Sequence, residues 1–283
     1  MLKFTHLLFA TLFLMSSITP AAICHAEDTI RINGSGSALD MMKPLINVYR
    51  KAHPDVRITM GKPLGSSGAV KALLAGALNM AVVSRDLKPT EAAQGAMLRK
   101  YGKTPLAIVT EKSVHRAADI STRELEDIYI GKTGTWHSGE RIRLILRPLA
   151  DIDTQILRGL SPGMNNAITV SHTRPGMLIA ITDQEAYATI KRTQGGIGTT
   201  ALNSIISEKL PLTVLSLNGV KPSLKNLALG AYPLTKEISF VTTTKTTPTG
   251  KNLINFIFSA QGRAIAEKAG VLVTAGVTDG SKP

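Results

Sequence analysis

The stretch 64–85, LGSSGAVKALLAGALNMAVVSR, constrains the fold more than any other, because it packs a glycine turn, a helix and a buried strand into 22 residues. Gly65 and Gly68 flank Ser66 and Ser67, so the backbone can turn sharply and present two hydroxyls and several amides. Ala69, Val70, Leu73, Leu74 and Ala77 then carry the spacing of one helix face. Free amides at a helix start attract anions. The apolar run Met80, Ala81, Val82, Val83 stops at Ser84-Arg85, which puts a hydroxyl and a fixed guanidinium at a strand's carboxyl end. Open α/β sheets bind their ligands at such ends. An oxyanion suits these groups, although a capped helix followed by a surface arginine would read the same way.

The unit is repeated upstream. A short alternating strand, 29–33, runs into Gly34-Ser35-Gly36-Ser37, and 38–52 reads as a helix with Leu39, Met42, Leu45, Ile46 and Tyr49 on one face. His53-Pro54-Asp55 breaks it, and 56–60 is a second strand, giving β-α-β-α-β and hence an α/β sheet. Further on, 89–101 reads as a helix begun by Pro89-Thr90-Glu91, and 105–110 as an apolar strand. Ser121-Thr122-Arg123-Glu124 is a capping box for a helix over 123–129, and a loop with the single tryptophan, Trp136, follows. A strand over 141–146 ends at Arg147, and Asp151-Ile152-Asp153-Thr154 starts another helix with acids where a helix start favours them. The segment 183–192 reads as a helix closed by Gly195-Gly196-Ile197-Gly198, 213–217 and 238–243 as strands, and 249–269 as one long amphipathic helix.

The 283 residues suffice for two medium domains. At 4% aromatic the chain lacks the stacking surface of a nucleic-acid platform, and its net charge of +13 is scattered without a basic run. The surplus therefore points to anionic solutes or surfaces, or to a basic solubilising surface, and not to nucleic acid. Lys3, an apolar stretch over 7–15 and Cys24-His25-Ala26 compose a secretory signal peptide over 1–26, cleaved after Ala26. Ile23 stands where a lipoprotein signal needs a small residue, so acylation of Cys24 is the lesser alternative. The mature chain would hold no cysteine, which removes disulfides, thiolate nucleophiles and zinc-thiolate sites. The histidines His53, His115, His137 and His172 have no ligand spacing, and neither a metal nor a cofactor is expected.

Taken in order, Gly34-Ser35-Gly36-Ser37, Gly65-Ser66-Ser67-Gly68, Ser84-Arg85, Glu124 to Trp136, the strand ending in Arg147, Gly196-Ile197-Gly198, Tyr232-Pro233-Leu234 and Ser259-Ala260-Gln261-Gly262 resemble the phosphate-binding-type periplasmic solute receptors of ABC importers. The resemblance spans nearly all of the mature chain. It implies a type-II periplasmic binding protein: two α/β lobes, 27–107 plus 238–283 and 108–237, joined by crossing strands near 105–111 and 232–241. It also implies a periplasmic, cofactor-free monomer that captures a small oxyanion such as phosphate and delivers it to a membrane ABC permease. Mapped onto this chain, the family's ligand-binding positions fall at Ser37, Ala38, Ser66, Ser67, Ser84, Arg85, Arg147, Asp153 and Thr154. Two departures stand out. Leu149-Ala150-Asp151-Ile152-Asp153-Thr154 replaces the family's usual Ser-Gly-Ser-Gly-Thr turn, and Ala38 replaces a threonine.

Arg147 reads as a ligand clamp or as a salt-bridge partner of Asp151 or Asp153, and the two readings can coexist. Asp151 suits a helix cap, and Asp153 an acceptor for the proton that phosphate keeps and sulfate lacks. Enzyme motifs fail on inspection. Gly102-Lys103-Thr104 and Gly131-Lys132-Thr133 lack the first glycine of a phosphate loop, and neither Ser-x-x-Lys nor Gly-x-Ser-x-Gly occurs. A secreted hydrolase of an anionic ester, and an oxyanion sensor or scavenger without a transporter, are the alternatives.

Overall fold

The computed structural model describes residues 29–114 and 119–274, so the expected signal segment, the mature N-terminus at Glu27, His115 and the last nine residues lie outside the described residues. The chain begins as expected: β1 (Thr29–Gly34), α1 (Gly36–Ala52), β2 (Arg57–Met60), α2 (Gly65–Leu74) and β3 (Met80–Val83). β1 pairs in parallel with β2 on one side and β3 on the other, as right-handed crossovers through α1 and α2 require. β3 is buried throughout, and its neighbours leave it no solvent face.

The first departure comes next. The helix expected over 89–101 stops after one turn as α3 (Pro89–Ala93), Gly95 turns the chain at φ +91°, and β4 runs from Met97 to Glu111. β4 is the long strand of the fold. Its first part pairs antiparallel with β10 (Thr235–Thr242) and β11 (Leu272–Val273), while its last residues pair with β8 (Gly196–Ala201) and β9 (Leu212–Leu217). β10 also pairs with β3, so β4 and β10 carry the sheet from one half of the molecule into the other.

The second half holds β5 (Asp119–Ile120), α4 (Thr122–Ile130), β6 (Arg143–Leu146), α5 (Ile152–Arg158), α6 (Pro162–Thr173), β7 (Leu178–Ile179), α7 (Asp183–Arg192), α8 (Leu202–Ser207) and α9 (Leu224–Ala228). Ser121 and Glu124 make the expected reciprocal cap of α4. This half departs from the expectation, as does the end of the chain, and the expectation lacks the short helices α8 and α9. α6 is absent from it, although Ser161-Pro162 is a capping residue followed by a first-turn proline. The glycines at 195–198 do not merely end α7, since Gly196 opens β8. The helix expected over 249–269 is two, α10 (Pro248–Phe258) and α11 (Ala260–Lys268), broken at Ser259, whose hydroxyl caps α11.

Each half has its own core. In the first, Ile30, Ile32, Leu45, Tyr49, Tyr101, Phe240 and Ile257 lock α1, α10 and α11 onto one face of the sheet. Ala69, Val70, Leu73, Val83 and Val241 fasten α2 to the other face. In the second, Leu106, Ile128, Tyr129, Leu146, Ile168, Leu215 and Tyr232 form one core around α4 and α6, and Val109, Ile145, Ala186 and Ile190 form another under α7. Trp136 is a core residue there, its indole N–H donating to Gly195 O at 3.1 Å.

Candidate functional site

A cleft of about 340 Å³ opens between the two halves, at the small end of the range for ligand sites. The first half contributes Ser35, Gly36 and the turn 63–68 with Arg85; the second contributes Arg147, Ala150, Asp151, Ile152, Gln155 and Thr182-Asp183. The walls are helix starts on both sides: α1 and α2 from one half, α5 and α7 from the other. Strand ends feed these helices, so the amides converge where open α/β sheets place their ligands.

On the first-half wall the sequence-nominated residues are already tied to one another. Ser66 Oγ accepts from the Ser84 amide at 3.0 Å, and the Ser84 and Ser35 hydroxyls lie 2.8 Å apart, which locks β3's end to the two helix starts. Arg85 is gripped by Glu91, with Nη2 to Oε1 at 2.7 Å and Nη1 to Oε2 at 2.9 Å, and also donates to Ser67 Oγ. Arg85 therefore reaches the cleft as a positioned, partly neutralised cation.

The second-half wall rests on a buried ion cluster. Arg147 Nη2 lies 2.7 Å from Asp151 Oδ2 and 3.8 Å from Asp183 Oδ2, and its Nη1 donates to Ala180 O. Behind it Lys236 Nζ, on β10, sits 2.6 Å from both Asp153 Oδ1 and Asp183 Oδ1. Three carboxylates thus share two cations, all but Asp151 almost completely out of solvent. Burial pushes the Asp153 carboxyl up to about 6 against the pull of Lys236. Burial acts on Asp183 in the same sense, but Lys236 and Arg147 together outweigh it and hold this carboxyl at about 2. Lys236 is kept charged by the same two carboxylates despite its burial.

Of the nine sequence-nominated residues, Ser66, Ser67, Arg85 and Arg147 line the cleft, and Ser37, Ala38, Ser84, Asp153 and Thr154 stand behind it. The expectation that Asp153 faces the ligand gives way here. Its carboxylate turns inward to Lys236, and the acidic residues on the cleft wall are Asp183 and Asp151, of which Asp151 also accepts the Asp153 amide through Oδ1 and caps α5. Thr154 Oγ1 and His172 Nε2 both reach Arg147 O, at 3.2 and 2.9 Å, and so hold the arginine's backbone. Lys236 and Asp183 are the site residues that sequence reasoning misses. Strand alternation puts Lys236 on the same side as Ile238 and Phe240, and a lysine on a core-facing position is itself a signal.

The fold and this two-walled cleft define a solute-binding architecture. A family model described as a PBP superfamily domain matches residues 19–261, and the chain belongs to that superfamily. Its curated relatives include Phosphate-binding protein PstS 2 of Streptococcus agalactiae, 29% identical over 105 residues, which is 37% of this chain. The chain spans only 35% of that relative's length. Phosphate-binding protein PstS of Borreliella burgdorferi is 24% identical, over 87% of this chain and 90% of its own. Among solved structures, a Clostridium perfringens substrate-binding protein with bound phosphate superposes with a TM-score of 0.73 at 21% identity, covering 87% of this chain and 99% of its own. An ABC-type phosphate transport receptor from Vibrio cholerae gives 0.59 at 19%, with the same coverage of each chain. The fold is accordingly the two-lobed α/β fold of these receptors.

Proposed function

We propose that this chain is an extracytoplasmic receptor that captures a small oxyanion, phosphate before others, and hands it to a membrane ABC permease. The observation that carries the reading is the convergence of Arg85 and Arg147 from opposite halves on one small cleft beside the Ser66-Ser67 turn. The names of the relatives and the bound phosphate in the Clostridium perfringens structure agree with it. In this reading the lobes are 27–107 with 238–283, and 108–237; segment 1–26 is an export signal, and the receptor works as a monomer. Ser66, Ser67, Arg85 and Arg147 contact the anion, while Ser37, Ala38, Ser84, Asp153 and Thr154 position them. Asp151, already engaged by Arg147, is the wall carboxylate that can accept a proton carried by phosphate and repel an unprotonated sulfate.

No bond is made or broken in this scheme; binding closes the lobes because the anion touches both. Calorimetry with inorganic phosphate and sulfate tests it. Wild type should bind phosphate in preference, and Arg147→Ala should lose about 2 to 5 kcal/mol, since Asp151 would then face the anion uncompensated. A wild-type protein that binds neither anion, or an Arg147→Ala protein that binds as well, sinks the reading. Turnover of a phosphate ester by the purified protein would instead favour the hydrolase alternative.

A further inference from the structure

α1 is a 17-residue helix whose first turn holds no acidic residue and whose capping residue, Ser35, makes no side-chain bond to it. Its N-terminal amides nevertheless have an anion. Asp183, the first residue of α7 in the other half, places its carboxylate there and accepts the Ser37 amide. The approach is so close that a Cβ on Gly36 would stand 2.8 Å from Asp183 Oδ2. The neighbouring Gln184 adds Nε2 bonds to Gly36 O at 3.1 Å and Asp40 Oδ1 at 3.0 Å. Asn203 donates to Ser37 O at 2.7 Å, and Ser204 to Asp40 Oδ2 at 2.8 Å, so the start of α1 is sealed against α7 and α8.

The same carboxylate lies on Lys236 and near Arg147. A helix start and two cations converging on one point make a seat for an anion. Here a residue of the chain sits in it, and two like charges cannot share so small a space without strong repulsion.

We propose that Asp183 is a tethered anion: it occupies the seat at the start of α1 and confines a solute oxyanion to the side of the cleft formed by the turn 65–68, Arg85 and the outer face of Arg147. Asp183 thereby sets both affinity and selectivity. It removes the part of the cleft that would accept any oxyanion, whatever its protonation, and leaves the part walled by Asp151. This rests on the oxyanion reading but can fail or hold separately from it.

The experiment is calorimetry of wild type, Asp183→Asn and Asp183→Ser with inorganic phosphate and with sulfate, on samples whose folding is checked by circular dichroism. Asp183→Asn keeps the shape and discards the charge, so it should bind phosphate about tenfold tighter or more and acquire sulfate binding. If wild type binds no oxyanion but Asp183→Asn does, the tethered anion stands and the phosphate function falls. If wild type binds and the folded variants bind equally or more weakly, the tethered anion falls and the function stands. Binding by none of the three overturns both. Amide resonances of wild type provide a readout that needs no variant at Asp183. Phosphate should move those of residues 65–68 and leave Ser37 in place; a Ser37 shift larger than theirs overturns the proposal.

Discussion

The start of α1 and the start of α2 are built alike, each a serine-glycine turn after a parallel strand, and both line the cleft, yet the first is buried against Asp183 and the second stands open to solvent. The difference is Asp183 with its partners Lys236 and Arg147, a cluster that closes one helix start and leaves the other to solvent and solute. A repeated motif therefore does not give two equivalent sites. What decides is whether the opposite half brings its own anion.

The strongest way to break this contrast is to remove the cation beneath it. Lys236→Met keeps the apolar stem and deletes the charge, leaving Asp153 and Asp183 buried with Arg147 alone. The expected loss of stability is about 3 to 5 kcal/mol in urea unfolding. An unchanged midpoint and slope would mean the cluster is not what holds the α1 side shut.

A somewhat smaller effect is expected from pH. Asp153, raised to about 6 in the fold, keeps a proton that the unfolded chain releases near its ordinary value of 3.8. Its contribution is fully present below about 4 and is lost as pH rises through about 6, a change of roughly 3 kcal/mol. Asp183, held at about 2, has the opposite sign: its contribution is present above about 4 and is lost as pH falls toward 2. Asp153→Asn should flatten the decline between pH 4 and 6 while keeping the acid limb that belongs to Asp183. A decline of the same size in the variant would assign it to other groups.

How far the sequence carries this contrast depends on where the partners lie. The two turns, the β-α-β-α-β opening, the capped α4 and both arginines are local patterns, legible in the order of residues. Arg99, Lys100 and Lys103 obscure β4, because a strand whose side chains are partly exposed between β10 and β11 has no apolar alternation. The break at Ser259 is hidden by an apolar pattern that runs through it. A Cβ at Gly262 would lie 2.2 Å from Phe256 O, a crowding that exists only once the helices are packed. Lys236 and Asp183 are 53 residues apart and meet only where β10 passes the first residue of α7, so no spacing announces them. The turn's sequence shows an acid at Asp153 and not which way it points, which is why it reads as a ligand contact and folds as a partner of Lys236.

The smallest effects come from the turn glycines, and they separate the two helix starts by cause. Gly65 has φ +70° and no atom within 4 Å of where a Cβ would stand, so Gly65→Ala should cost about 1 to 2 kcal/mol from backbone strain alone. Gly36 has no such φ, but a Cβ would lie 2.8 Å from Asp183 Cβ and 2.2 Å from Gln184 Oε1. Gly36→Ala should cost about 1 to 3 kcal/mol from crowding. The discriminating variants are the asparagines. Asparagine tolerates the left-handed region better than alanine, so Gly65→Asn should recover part of the loss, whereas the larger side chain at Gly36→Asn should deepen it. Thermal unfolding of the four proteins reads this directly. If asparagine is no better than alanine at position 65, or no worse at position 36, then the two starts do not differ in the way their packing implies, and the seal that Asp183 makes on α1 is looser than its contacts suggest.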